Sequence, residues 1–145
     1  NAGIRAANVD EILEALLESV KPIQDKGIQV VLVTPPPRSG ENIGRCLDLA
    51  LWKGESLNQC AIVEADLEQV ATTLRGSLAR INKTLPVVSL YKILCADGMC
   101  AVAMDGEPLY RDSGHLSRAG STALGNSQAF RTALHDASSK ITKSR

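Results

Sequence analysis

The sequence predicts an α/β domain with a parallel sheet. Apolar, β-branched runs typical of buried strands alternate with long amphipathic helical patterns, an order that favours parallel strands. Apolar residues make up 44% of the 145 residues and charged residues 22%, which suits one domain with a real core. Only two main strands are evident, fewer than such sheets usually contain. We therefore expect part of the sheet to be missing from this chain.

The first helix and strand are the clearest predicted elements. Asn8 can cap a helix that runs to about Lys26 and ends at Gly27. Its apolar stripe has helical spacing and comprises Val9, Ile12, Leu13, Leu16, Leu17 and Val20. The apolar run Ile28–Val33 predicts a strand buried on both faces, which the prolines Pro35–Pro37 end.

Two further helices are predicted in the middle of the chain. Residues 43–52 have a helical pattern, and a loop that carries Cys60 follows them. A second apolar stripe predicts a helix of roughly twenty residues. This stripe comprises Val63, Leu67, Val70, Leu74, Leu78 and Ile81.

The last third of the chain predicts a strand, a hairpin and a helix. Residues 86–90 predict a short buried strand, and residues 101–104 open a hairpin that turns at Asp105-Gly106. Ser117 is a suitable cap for a final helix, from about Arg118 to Asp136.

The charge pattern argues against nucleic acid as a partner. The formal net charge is zero, aromatic residues are 3% of the chain, and the nearest approach to a basic run is Lys140, Lys143 and Arg145. No apolar run approaches the ~20 residues that a membrane span needs. Asn1 and Ala2 have no Met before them, so we expect residues 1–2 to be an expression-tag remnant. Residues 3–145 are then expected to be the C-terminal portion of a single domain.

Four cysteines, Cys46, Cys60, Cys95 and Cys100, allow three disulfide pairings. The sequence-local choice is Cys46–Cys60 with Cys95–Cys100, because an Asp-Gly turn signal separates the second pair. This pairing would indicate an oxidising compartment. A zinc site and four free thiols are the alternatives, although a structural zinc site usually has two closely spaced pairs.

Asp112 and His115 are the strongest candidates for chemistry. They lie three residues apart, directly after the last predicted strand and before the cap Ser117. In an α/β sheet, loops of this kind present ligand-binding groups. An Asp that holds one ring nitrogen of a His leaves the other nitrogen free to take a proton from a hydroxyl.

The remaining candidates have simpler interpretations. Trp52 is expected to pack near the Cys46–Cys60 loop, and Gly120 to allow close approach of helix and sheet. Ser39 is expected to serve the loop that follows the prolines. Arg111 is expected to be a surface residue, and Thr34 to end its strand. His135 is expected near the end of the last helix, where a cation is favourable.

The segment from Tyr110 to Gly120, with Asp112, His115, Leu116 and Ser117, resembles the last motif of the SGNH (GDSL-like) hydrolase superfamily. The resemblance extends upstream and covers about residues 9–123. Its further parts are Val30–Pro37, Arg45-Cys46-Leu47, Gln59-Cys60, Leu94 to Cys100 and Pro108-Leu109-Tyr110. These parts resemble the SGNH domain that is fused to membrane O-acyltransferases of the acyltransferase-three family.

The resemblance implies a three-layer flavodoxin-like fold, of which this chain would hold the C-terminal half. It implies His115 as base and Asp112 as its orienter, and it supports both sequence-local disulfides. The intact enzyme would transfer or hydrolyse an acyl group, expected to be acetyl, on a hydroxyl of a surface carbohydrate. It would lie in the periplasm, tethered to the inner membrane by upstream segments. No metal or cofactor is implied for this chain, and the acyl donor stays open.

Two departures from the family pattern matter. Many relatives carry three acidic residues before the His, whereas Ser113 and Gly114 follow Asp112 here. The Gly-Asp-Ser motif of the nucleophile and the segments of the oxyanion hole are absent from this sequence. We therefore expect the serine to come from upstream sequence and the chain alone to be inactive.

Two other functions remain open: a non-catalytic carbohydrate-binding or scaffolding module, and a secreted SGNH esterase. An incomplete sheet also predicts an uncovered edge. We expect self-association through Ile28–Val33 or through the helix over residues 9–20.

Overall fold

A computed structural model describes residues 9–67, 69–81 and 85–142. Six α-helices are present in these ranges: α1 (Val9–Gln24), α2 (Ile43–Lys53), α3 (Gln69–Ile81), α4 (Leu90–Leu94), α5 (Arg118–Asn126) and α6 (Gln128–Thr142). The strands are all short: β1 (Leu32–Val33), β2 (Ile62–Val63), β3 (Val87–Val88), β4 (Cys95–Ala96), β5 (Met99–Cys100), β6 (Ala103–Met104) and β7 (Glu107–Pro108). The fold is thus mixed α/β, as the sequence predicts.

Two short strands, β1 and β3, form a parallel pair. Leu32 lies opposite Val87, and Val33 opposite Val88. The Leu32 amide donates to Pro86 O at 2.9 Å, and the Thr34 amide donates to Val88 O at 3.0 Å. Antiparallel pairs make up the other two sheets, in the order β2-β5-β4 and as the β6-β7 hairpin. The predicted parallel strands are therefore present and adjacent.

The strand predicted over Ile28–Val33 is shorter in the structure, where only Leu32–Val33 pair. Its partner β3 has only two residues, because the Ser89 hydroxyl accepts from the Lys92 amide at 3.4 Å and caps α4. Ile28 is 55% exposed, so the prediction that the whole run is buried on both faces is wrong.

The long helix predicted from Val63 to Ile81 is also shorter, because α3 begins at Gln69. Val63 instead belongs to β2, opposite Met99 of β5. A single 3₁₀ turn, Glu64–Asp66, follows this strand. Val63 has helical spacing with Leu67, but its pairing with β5 places it in a sheet, where long-range contacts override the local pattern.

The final predicted helix is divided in two. The Ser127 hydroxyl accepts from the Phe130 amide at 3.2 Å, and its own amide donates to Leu124 O at 3.1 Å. A serine that satisfies an unpaired amide at the start of a helix favours a break there over continuation. Thus α5 ends at Asn126 and α6 begins at Gln128.

The first helix agrees with its prediction. It ends at Gln24, and Gly27 follows with a positive φ of 78°. The predicted cap Asn8 lies outside the described residues. Leu13 of α1 packs in a small core cluster with Leu78 and Ile81 of α3.

The main core lies among α2, α4, the hairpins and α5. Its buried members are Ile43, Leu47, Ala50, Cys60, Ile62, Leu90, Leu94, Cys100, Val102, Leu109, Tyr110 and Leu124. The four cysteines form the disulfides Cys46–Cys60 and Cys95–Cys100. The alternatives of a zinc site and of four free thiols are therefore wrong. Trp52 is 81% exposed, which contradicts the prediction that it packs against the first of these loops. It lies in the last turn of α2, whose inward face is formed by Leu47 and Ala50.

None of the helices described here is both long and apolar enough to cross a membrane.

Candidate functional site

The segment Leu109–Ser117 folds back on itself directly after the β6-β7 hairpin. The Ser117 amide donates to Leu109 O at 2.7 Å, and the Arg111 amide donates to His115 O at 3.0 Å. Tyr110 and Leu116 form an isolated antiparallel bridge between these two bonds. We call this segment the dyad loop, because it holds Asp112 and His115 at its tip.

Asp112 holds the His115 ring from one side. Its carboxylate oxygens lie 3.0 Å (Oδ1) and 2.9 Å (Oδ2) from Nδ1. This is the contact that the three-residue spacing predicts. An ionised carboxylate accepts only, so Nδ1 donates to it, and in the neutral imidazole Nε2 then has the lone pair. The His115 side chain is 71% exposed, which leaves Nε2 accessible to a reacting hydroxyl.

The loop backbone stabilises the charged form of Asp112. The Gly114 amide donates to Oδ1 at 2.9 Å, and the His115 amide donates to the same oxygen at 2.8 Å. These bonds, that from Gly114 first, together with the His115 ring, lower the pKa of Asp112 to about 2. Asp112 is therefore a carboxylate throughout the neutral range, as the orienter of a base must be.

The start of α2 packs against the backbone of the dyad loop. Gly44 is buried, and its amide donates to Asp112 O at 3.4 Å. A Cβ at this position would lie 2.1 Å from Arg111 O, so no larger residue fits without movement. The cap residue Asn42, whose side chain accepts from the Arg45 amide at 3.0 Å, fixes where this helix begins.

Tyr110 connects the dyad loop to the end of β1. Its buried hydroxyl donates to Pro37 O at 2.9 Å, and its ring lies in the main core. Burial raises the pKa of this hydroxyl, which stays protonated and keeps its role as a donor. The dyad therefore lies near the segment that follows β1, and an α/β sheet binds its ligands at this end of its strands.

The start of α5 closes the loop from the other side. The Ser117 hydroxyl donates to Pro108 O at 2.6 Å and accepts from the Gly120 amide at 2.8 Å. A Cβ on Gly120 would lie 2.5 Å from the Leu109 Cα. The expectation that Gly120 allows a close approach of helix and sheet is met at this contact.

Two arginines lie next to the dyad. Arg111, which is exposed as predicted, places Nε 3.4 Å from Asp112 Oδ2. Arg38 lies against Gly114, since a Cβ built there would be 3.0 Å from Arg38 Nε. Sequence reasoning missed Arg38 and the supporting roles of Gly44 and Tyr110. The prolines before Arg38 were the only available signal, because they mark the loop at the end of β1.

The other residues singled out from the sequence lie away from the dyad chemistry. The Thr34 hydroxyl accepts from the Leu90 amide at 2.9 Å, which joins β1 to α4. Ser39 accepts from the Glu41 amide at 3.4 Å, as expected for a loop residue. His135 is exposed on α6, with its Nδ1 3.5 Å from Asp136 Oδ1.

Within the described ranges, no serine hydroxyl is hydrogen-bonded to His115. Ser117, which follows His115 by two residues, has its hydroxyl engaged by Pro108 and Gly120. The same part of the chain contains no cluster of three His, Cys, Asp or Glu side chains that could hold a metal ion. The described site therefore contains an imidazole that is oriented by a carboxylate and is not hydrogen-bonded to a serine hydroxyl.

A protein-family model described as "SGNH domain (fused to AT3 domains)" matches residues 1–128 of the chain. The match includes the dyad loop, both disulfides and both strands of the parallel pair. No curated protein and no solved structure matches the chain.

Proposed function

The chain belongs to the family of SGNH domains that are fused to AT3 domains, and from this premise we propose that it supplies the base of an acyl-transfer site. The family supports an activity of the hydrolase or acyltransferase type. The substrate that we propose for the parent protein is a hydroxyl of a surface carbohydrate, and the group moved is an acyl group, most simply acetyl.

The contact between Asp112 and His115 carries this proposal. A carboxylate with both oxygens at Nδ1 fixes the ring and its tautomer, while the ring is exposed on its other side. In a Ser-His-Asp site, Nε2 takes the serine proton as the hydroxyl attacks the acyl carbon. The imidazolium then returns that proton to the leaving group, while Asp112 stabilises its charge.

The second half of the reaction uses the same nitrogen. A carbohydrate hydroxyl, or water in hydrolysis, attacks the acyl-serine, and Nε2 takes the proton of the attacking oxygen. The tetrahedral intermediate collapses, the acyl group passes to the new oxygen, and the proton returns to the serine. Transfer and hydrolysis therefore need the same dyad and differ only in which hydroxyl reaches it.

We propose that the serine and the oxyanion donors come from sequence upstream of this chain. The Gly-Asp-Ser motif is absent from the 145 residues, and the parallel sheet described has two strands. A three-layer flavodoxin-like domain, with this chain as its C-terminal half, would place further strands beside β1. On this basis the chain alone is not expected to hydrolyse acyl esters.

A periplasmic site, tethered to the inner membrane by an AT3 region of the same protein, is our proposal for the location. The two disulfides support it, because such bonds persist in oxidising compartments. The AT3 domains in the family description support a membrane-associated parent.

The decisive experiment replaces His115 in the full-length protein. His115→Ala should abolish acyl transfer and esterase activity, because no other described group is oriented to take the proton. His135→Ala is the matched control, since it removes the other, equally exposed imidazole from α6. Transfer at the wild-type rate by His115→Ala would instead favour a carbohydrate-binding or scaffolding module without catalysis.

A further inference from the structure

An open cavity of about 760 Å³ lies between the segment after β1, α3, α4 and α6. This volume is within the range of sites that bind small ligands. Thr34 and Ser89, at the carboxyl ends of β1 and β3, contribute to its wall. The cavity therefore opens at the edge of the sheet where an α/β fold binds its ligands.

The charges around this cavity are unbalanced. Three cationic side chains line it, Arg38, Arg75 and Lys92, against one carboxylate, Asp136. The chain as a whole has a formal net charge of zero, so this excess is local. A concave surface with an excess of one charge attracts ligands of the opposite charge.

Arg75 is held in place by an aromatic ring. Its guanidinium carbon lies 4.1 Å from the centre of the Tyr91 ring, and its Nη1 lies 3.5 Å from Glu64 Oε1. Stacking on an aromatic face restricts a guanidinium before any ligand arrives, which lowers the entropic cost of binding an anion. Glu64 does not line the cavity, although its ion pair offsets part of the Arg75 charge.

Arg38 connects the cavity to the dyad. It lines the cavity and also lies against Gly114, between Asp112 and His115 in the sequence. A ligand that occupies the cavity and contacts Arg38 would therefore extend towards the imidazole.

We propose that this cavity binds the acceptor glycan and selects a carbohydrate that carries carboxylates, such as a chain of uronic acids. The inference rests on the proposed function and adds the class of its substrate. Arg38 contacts the carboxylate nearest to the reacting hydroxyl, and Arg75 with Lys92 contact the next sugar. A planar carboxylate can accept two hydrogen bonds from a guanidinium, which gives orientation as well as affinity.

The test compares two probes that have the same sugar backbone but differ in charge. Tetragalacturonate and its fully methyl-esterified form are titrated into the ¹⁵N-labelled 145-residue chain, and amide chemical shifts are followed. We expect the acid to shift amides of cavity-lining residues and of Gly114 and His115, and to bind about tenfold more tightly than the ester. Added salt should weaken binding of the acid and leave that of the ester unchanged.

Variants locate the binding. Arg75→Gln and Lys92→Gln should each weaken binding of tetragalacturonate by about fivefold or more. Lys53→Gln, at an exposed position of α2, is the matched control and should leave the affinity for tetragalacturonate unchanged. Equal affinity for acid and ester, or shifts confined to residues outside the cavity, would overturn the proposal.

The two proposals fail differently. If His115→Ala abolishes transfer while the charge variants bind tetragalacturonate normally, the base assignment stands and the acidic acceptor is wrong. If tetragalacturonate binds the cavity while His115→Ala retains transfer, the dyad assignment is wrong and the cavity remains a site for acidic carbohydrates.

Discussion

Both carboxylate oxygens of Asp112 lie within 3.0 Å of the Nδ1 of His115, and two backbone amides hold one of these oxygens in place. The His ring is thus oriented by a group that is itself fixed. In the neutral form of the ring, this contact favours the tautomer with the proton on Nδ1 and the lone pair on Nε2.

Asp112→Asn should lower the rate of acyl transfer by the full-length protein by about a thousandfold or more, because an amide can no longer enforce the tautomer. The measurement is kcat on an acylated substrate. Asp105→Asn is the control, since Asp105 has a positive φ of 52° in a hairpin turn that Asn tolerates. An equal loss in both variants would argue against a role for Asp112 in orienting the base.

The Asp112 carboxyl should titrate with a midpoint near pH 2. Its folded pKa of about 2 is below the ordinary value of about 3.9, so its contribution to stability is present above pH 4. That contribution is lost as the pH falls through about 2. Carbon-13 NMR of the side-chain carboxyl measures the midpoint directly, and a value near 4 would show that the loop amides do not hold the carboxylate.

Gly44→Ala should lower the free energy of unfolding by about 1–3 kcal/mol, since the new methyl group would overlap Arg111 O. Gly76→Ala is a useful contrast, because that glycine lies in α3 with open space around it. The same substitution there should raise the free energy of unfolding by about 0.5–1 kcal/mol. Denaturant unfolding of the two variants tests both signs, and a neutral Gly44→Ala would contradict the close contact.

Two tyrosines should respond oppositely to loss of the hydroxyl. The Tyr91 hydroxyl is buried without a hydrogen-bond partner in the described structure, so Tyr91→Phe should raise the free energy of unfolding by about 1 kcal/mol. Tyr110→Phe should lower it by about 1–2 kcal/mol, since it leaves Pro37 O without its donor. Thermal unfolding of both variants is the measurement. A destabilised Tyr91→Phe would mean that this hydroxyl has a partner.

The chain should form a symmetric dimer through the free edge of β1, Leu32–Val33. In the described residues, β1 is paired only on the side of β3, and Val33 is 41% exposed. Sedimentation should show dimers at high concentration, and Val33→Lys should convert them to monomers. Leu51→Lys, at an exposed apolar position of α2, should leave the dimer intact. A monomeric wild-type chain at millimolar concentration would refute the expectation.

Much of the site could be predicted from sequence because it is local. The contact between Asp112 and His115 follows from their three-residue spacing. The cap at Ser117 follows from its hydroxyl, which accepts from the Gly120 amide three residues later. The parallel pairing of β1 with β3 followed from two apolar runs separated by helices. Each disulfide joins cysteines that are near neighbours in the sequence.

What sequence could not supply depends on distant contacts. The register of Val63 opposite Met99 requires knowledge of β5, and the helical spacing of its neighbours favoured the wrong element. Ser127 also favours a helix start, a signal that the prediction of one continuous final helix did not use. Arg38 and Gly44 lie beside the dyad through folding alone, since the sequence separates both from Asp112 by the entire middle of the chain.

The closure of the dyad loop by its own backbone bonds has a consequence for how the site forms during folding. Leu109 and Ser117 join across a short stretch of chain, so the entropic cost of closing the loop is small. Contacts of such low sequence separation form quickly, before any long-range pairing is complete. The contact between Asp112 and His115 can therefore form early in folding; under the proposed function, a nucleophile from another segment would join it later.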